Sequence, residues 1–87
     1  MDKKIRIVII EDHKLLRVGL KSLFENTNDI VVFGESETGR DGISKVQLQK
    51  PDIVLIDLGL PDISGLEVIK ELASLSKDTK IIVRLKI

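Results

Sequence analysis

The stretch VLIDLGLPD, residues 54–62, holds an apolar run that stops on an acid, Asp57. Its full extent begins at Asp52, and three further runs share its Ile- and Val-rich character. They are IRIVII (5–10), IVVFGE (30–35) and KIIVRLKI (80–87). The first three in chain order are nearly continuous rather than alternating, which suits strands covered on both faces. Segments with helical spacing separate them. Leu16, Leu20, Leu23 and Phe24 recur every three to four residues, and so do Leu66, Ile69, Leu72 and Ala73. Ile43, Val46 and Leu48 form a weaker set, further weakened by Gly42. Ser64 followed by Glu67 reads as a capping box, Thr38 or Asp41 can open the second helix, and Pro51 closes it. The predicted order is β-α-β-α-β-α-β. Such alternation implies right-handed crossovers and a three-layer α/β fold with a parallel sheet between helices.

In such sheets, ligands and chemistry sit beyond the carboxyl ends of the strands. Asp57 ends one strand, and Glu11-Asp12 follow another. If those strands are neighbours, the three carboxylates converge. Three acids in a half-buried pocket repel one another. A hard divalent cation relieves the conflict. Mg²⁺ takes oxygen ligands, binds one or two carboxylates directly and leaves room for water and phosphate oxygens. One carboxylate could then serve as a nucleophile in phosphoryl transfer. The backbone carbonyl of Gly59 could supply a further oxygen, because glycine permits close approach of the loop. Each acid also has a plainer reading. Asp12 could cap the first helix, Asp57 could be a turn residue before Gly59 and Pro61, and Glu11 a solvated loop acid. The joint placement at two strand ends favours the site.

Composition bounds the rest. The 87 residues allow one small domain, with 43% hydrophobic and 32% charged residues. Fourteen basic residues balance fourteen acidic ones, so charge points to no nucleic-acid or anionic-membrane surface. The absence of Cys excludes disulfides and thiolate metal sites, and the single His13 cannot build a His-rich one. The apolar stretch after the basic N-terminus is only Ile5–Ile10, too short for a signal-peptide core or a membrane span, so a cytoplasmic protein is expected. GESETGRD (34–41) imitates a phosphate-binding loop. It carries Arg40 and Asp41 where that signature needs Lys and then Ser or Thr, and Glu35 and Glu37 would repel phosphate. A phosphatase of the haloacid dehalogenase type would want an Asp two residues after Asp57, where Gly59 stands. His13 is expected to be exposed near the start of the first helix.

Two segments, IRIVIIEDHKLLRVGLKSLFE (5–25) and PDIVLIDLGLPDISGLEVIKEL (51–72), resemble the receiver domain of bacterial two-component response regulators. The pattern of Glu11, Asp12, His13, Leu15, Arg17, Gly19 and Leu20 is similar to the NarL/FixJ (LuxR-type) subfamily in particular. The resemblance runs from about Lys4 to Val83. It implies a flavodoxin-like fold with strand order 2-1-3-4. It implies transfer of a phosphoryl group to Asp57 from a partner histidine kinase, with Mg²⁺ held by Asp12, Asp57 and the Gly59 carbonyl, and by Glu11 mainly through water. Pro61 and Gly65 match the family's loop after the acceptor.

The chain also departs from the family. A receiver has about 120 residues and five βα units, whereas this sequence reads as one receiver domain cut after its fourth strand, with no output domain. The family's fourth strand ends on a Thr or Ser that hydrogen-bonds the phosphoryl group, and Leu85 holds that place. The family's Lys after the fifth strand has no counterpart. Lys86 lies nearby as a candidate minor substitute. Impaired switching is therefore expected. Without a fifth strand, the fourth is a bare edge, and a homodimer through that edge or the open sheet face is expected. The competing function is a receiver-derived binding or dimerisation module that carries out no phosphotransfer.

Overall fold

β-Branched residues pack well on a pleated, half-buried surface, and the four Ile- and Val-rich runs become four strands. The structure, a computed structural model, describes residues 3–85. Its elements are β1 (Ile5–Ile10), α1 (Lys14–Glu25), β2 (Ile30–Ser36), α2 (Gly39–Gln49), β3 (Ile53–Asp57), α3 (Gly65–Leu75) and β4 (Lys80–Arg84). The sheet is wholly parallel in the order β2-β1-β3-β4. This is the flavodoxin-like arrangement expected from the sequence. Register slips once, between Ile7 and Val8, where Ile7 pairs with Val32 and Val8 with Gly34. Phe33 is passed over and stands 48% exposed with the Arg6 guanidinium 5.3 Å from its ring centre.

Alternation along the strands divides the core. Val8, Ile10, Val54 and Ile56 meet Ile43 and Val46 of α2 and Val68 and Leu72 of α3 in one buried cluster. Each such side chain contributes about 1.5–3 kcal/mol on burial. Ile7 and Ile9 point to the other face, where α1 packs against β1 and β2. α2 approaches the sheet closely because residue 42 is Gly. A Cβ there would lie 2.7 Å from Cγ1 of Ile10, itself wholly buried.

The helix ends follow local chemistry. Thr38 and Ser64 cap α2 and α3, their side chains accepting from the N–H groups of Asp41 and Glu67. α2 ends on Lys50 in the left-handed region (φ 45°), just before Pro51. Arg6 donates to the carbonyls of Gln49 (3.0 Å) and Lys50 and so satisfies the end of that helix. The N-cap of α1 is His13, exposed and making no side-chain cap bond, so Asp12 is not the cap that the sequence allowed.

The inward stripes differ from expectation at four places. Leu23, Leu48, Leu66 and Ala73 are exposed, while Gly65 and Val68 face inward with Leu72. α3 is turned so that its glycine meets the loop after β3. Beyond β4 there is no strand among the described residues. Ile82 and Val83 are 50% and 38% exposed, and Leu85 just after β4 is 66% exposed.

Candidate functional site

β1 and β3 are adjacent and end side by side, so the acids that follow or end them meet. One carboxylate oxygen each from Glu11, Asp12 and Asp57 lies within 4.8 Å of the others. Glu11 and Asp57 are each 1% exposed, and Asp12 is half-buried. The sequence-based expectation of convergence is met for all three.

The backbone holds Glu11 from both sides. Its N–H donates to the Ser36 carbonyl at 2.9 Å, tying it to the end of β2. Its carbonyl accepts from Arg17 Nη1 at 2.8 Å. Arg17 is a buried cation on α1 that also pairs with Glu35 (3.3 Å) and Glu37 (3.5 Å). It therefore links α1, the end of β1 and the end of β2. The Glu11 side chain is fixed as well, Oε2 accepting from the His13 N–H at 2.9 Å.

Asp57 is the last residue of β3, and its Oδ1 accepts from the Gly59 N–H at 3.2 Å. The loop it opens returns at once. Gly65 donates its N–H to the Leu58 carbonyl at 3.1 Å. A Cβ on Gly65 would sit 2.6 Å from Leu58 Cα and 3.2 Å from the Asp57 carbonyl oxygen. Glycine is needed there because backbone meets backbone.

Two residues unnoticed in the sequence complete the surroundings. Asp62, in the same loop, crosses to α2 and accepts from the N–H groups of Gly39 (2.8 Å) and Arg40 (2.9 Å). Those two bonds, the Arg40 one foremost, hold the Asp62 carboxyl below the usual carboxylate range. The N-terminus of α2 thus carries an anion from its own chain, so the GESETGRD segment offers no open phosphate cradle. The cleft beside it, about 480 Å³ in volume, is lined by cations already paired with acids, including Arg17 with Glu35 and Lys45 with Asp41 (3.1 Å). The Ser36 hydroxyl, 2.7 Å from Asp41, and then Lys45 keep the Asp41 carboxyl below its ordinary range.

The second unnoticed residue is Arg84. It ends β4 in register with Asp57. Its Nε and Nη2 donate to Glu11 Oε1 at 3.2 and 3.0 Å, and Nη2 is 3.7 Å from Asp57 Oδ2. A charge at the carboxyl end of an otherwise apolar run was the only sequence signal for it. Leu85, at the place of the family Thr or Ser, lies exposed past the strand. Lys86 is outside the described residues.

The donor set suits a hard cation. Three carboxylates offer oxygen alone, two of them are buried, and Mg²⁺ needs only one or two directly.

Residues 7–84 match the response regulator receiver domain, and the chain belongs to that family. It is 41% identical over 78 residues to the uncharacterized transcriptional regulatory protein YhcZ of Bacillus subtilis, covering 90% of this chain and 36% of that protein. It is 39% identical over 77 residues to the nitrate/nitrite response regulator protein NarL of Escherichia coli, covering 88% and 36%. The chain thus spans a little over one third of these relatives. Among solved structures, the signal receiver domain of the putative response regulator NarL from Mycobacterium tuberculosis superposes with a TM-score of 0.90 at 25% identity, over 95% of this chain and 67% of that one. The response regulator domain of Thermotoga maritima CheB gives 0.89 at 25% identity, over 95% and 61%. Receiver domains bind Mg²⁺ at an acidic pocket and interact with histidine kinases. Among the described residues, no helix is long and apolar enough to cross a membrane.

Proposed function

We propose that this chain accepts a phosphoryl group on Asp57 from a histidine kinase in the cytoplasm. The observation that carries the reading is the meeting of Glu11, Asp12 and Asp57, the first and last of them buried, at the carboxyl ends of β1 and β3. Asp12, Asp57 and the Gly59 carbonyl would hold Mg²⁺ directly, with Glu11 acting mainly through water. When bound, the ion neutralises the acids and the incoming phosphoryl oxygens. An Asp57 carboxylate oxygen attacks phosphorus in line. The P–N bond to the kinase phosphohistidine breaks as the O–P bond forms, and the imidazole leaves with the nitrogen electron pair and takes a proton. The Gly59 N–H on Oδ1 orients the carboxylate. Arg17 holds the Glu11 backbone in place.

The switch side of the site is weaker. Leu85 offers no hydroxyl to a phosphoryl group, so phosphorylation moves this chain's surface less than a receiver with Thr there. Among the described residues β4 is an edge of the sheet, and a second copy of the chain on that edge or on the open face would cover the exposed Ile82, Val83 and Leu85. Light scattering at micromolar concentration should give twice the monomer mass, and a monomer that unfolds cooperatively would contradict this. The Arg84 pairing and Leu85 favour a second reading, a binding module that carries out no phosphotransfer.

Incubation with acetyl phosphate and Mg²⁺, followed by intact-mass measurement, separates the two. A phosphate-sized adduct that is absent in Asp57→Asn and without Mg²⁺ supports phosphotransfer. No adduct on the wild-type chain leaves the binding module.

A further inference from the structure

We infer that Arg84 is a tethered counter-ion of the acid pocket that opposes its occupation by a divalent cation. This rests on the pocket being the cation site proposed above. The guanidinium already spans two of the three acids, with Nε and Nη2 on Glu11 Oε1 and Nη2 3.7 Å from Asp57 Oδ2. The Glu11 and Asp57 side chains are 2% and 0% exposed, while that of Arg84 is 30% exposed. The guanidinium therefore meets two buried carboxylates while its own side chain keeps a route to water.

Strand register places this cation beside the acids. Asp57 and Arg84 are partners on adjacent parallel strands, so their side chains leave the same face. Both lie at the carboxyl end of the sheet. Arginine keeps its charge at any ordinary pH, and its fork reaches two acceptors at once. Removing it leaves three acids with one fewer counter-charge in a low-dielectric site, where like charges strongly disfavour joint ionisation.

A divalent cation would draw on the same carboxylates. Binding it demands either that the guanidinium swing out through its exposed side or that two cations share the Asp57 carboxylate at close range. Both weaken cation binding. The coupling is reciprocal: metal and Arg84 each loosen the other's hold by the same factor. A coupling of ordinary size corresponds to about 5- to 150-fold.

The test is a calorimetric Mg²⁺ titration of the wild-type chain, Arg84→Met and Arg84→Lys, with urea unfolding of each in chelator and in saturating Mg²⁺. Arg84→Met should bind Mg²⁺ about 5- to 150-fold more tightly, with Arg84→Lys nearer wild type. In chelator the urea midpoint of Arg84→Met should fall, and saturating Mg²⁺ should close the gap. Equal or weaker Mg²⁺ affinity in Arg84→Met overturns the inference while leaving the metal site standing. Absence of binding in all three chains overturns the site and the inference together. A wild-type measurement covers the case in which the Met variant does not fold. The Arg84 Nε–H resonance should shift as Mg²⁺ is added. A stationary resonance, while the amides of Leu58 and Gly59 respond, overturns the inference.

Discussion

Replacing Asp62 by Ala removes the carboxylate that joins the loop after Asp57 to the start of α2. Two backbone N–H groups, of Gly39 and Arg40, then lose acceptors at 2.8 and 2.9 Å. Loss of a side-chain acceptor at a helix start costs about 0.5–2 kcal/mol. A negative charge at a helix N-terminus adds about 0.3–1 kcal/mol. Asp62 is exposed, which places the sum near the lower end, about 1 kcal/mol. For a domain of this size that is a fall of about 4–8 °C in Tm. The effect depends on pH in a fixed direction. The folded carboxyl titrates below the ordinary 3.8, so its stabilisation is present above that value. It is lost as pH falls through the folded pKa. Urea unfolding of wild type and Asp62→Ala at pH 7 and at about pH 3 measures both parts. The gap should be about 1 kcal/mol at neutral pH and shrink on acidification. A gap that is absent at pH 7, or the same at both pH values, would show that the Asp62 carboxylate does not stabilise the start of α2.

Gly42→Ala sets helix propensity against packing. The helix gains up to about 1 kcal/mol, but the new methyl falls 2.7 Å from Ile10 Cγ1 in a filled core, which costs about 1–3 kcal/mol. A net loss of about 1 kcal/mol is expected by chemical denaturation, and a stabilised variant would show that Ile10 can yield. Leu72→Ala empties a wholly buried position between α3 and the sheet and should lower stability by about 2–5 kcal/mol. A loss under about 1 kcal/mol would mean that α3 is not packed as described. Gly65→Ala should disturb the loop after Asp57 as well as stability, because its Cβ meets Leu58 Cα at 2.6 Å. Its amide spectrum should change at residues 57–59, and an unchanged spectrum there would count against the close approach.

The order of elements was legible because Ile- and Val-rich runs alternate with stretches of helical spacing. Glu11, Asp12 and Asp57 were legible for a related reason: strand ends are where this class of sheet builds its sites. The inward face of α3 was not. Gly65 counts as neither apolar nor polar in a periodic pattern, so the stripe Gly65, Val68, Leu72 was hidden behind the more conspicuous Leu66, which proves 65% exposed. Gly42 looked like a weakness in α2, yet it sets the distance of that helix from Ile10. Arg84 and Asp62 act across 73 and 22–23 residues of chain. Such partners depend on register between β3 and β4 and on the path of one loop, which no local pattern encodes. Neither Arg84 nor Asp62 was therefore singled out from the sequence.

The proposed cation site draws three acids from two separate stretches of chain. Paramagnetic line broadening by Mn²⁺, added in small amounts to the isotope-labelled chain, tests it most directly. Amides of Glu11, Asp12, Asp57 and Gly59 should vanish first, excess Mg²⁺ should restore them, and Asp57→Asn should weaken the effect. Broadening centred elsewhere, or spread evenly over the exposed acids, would contradict it.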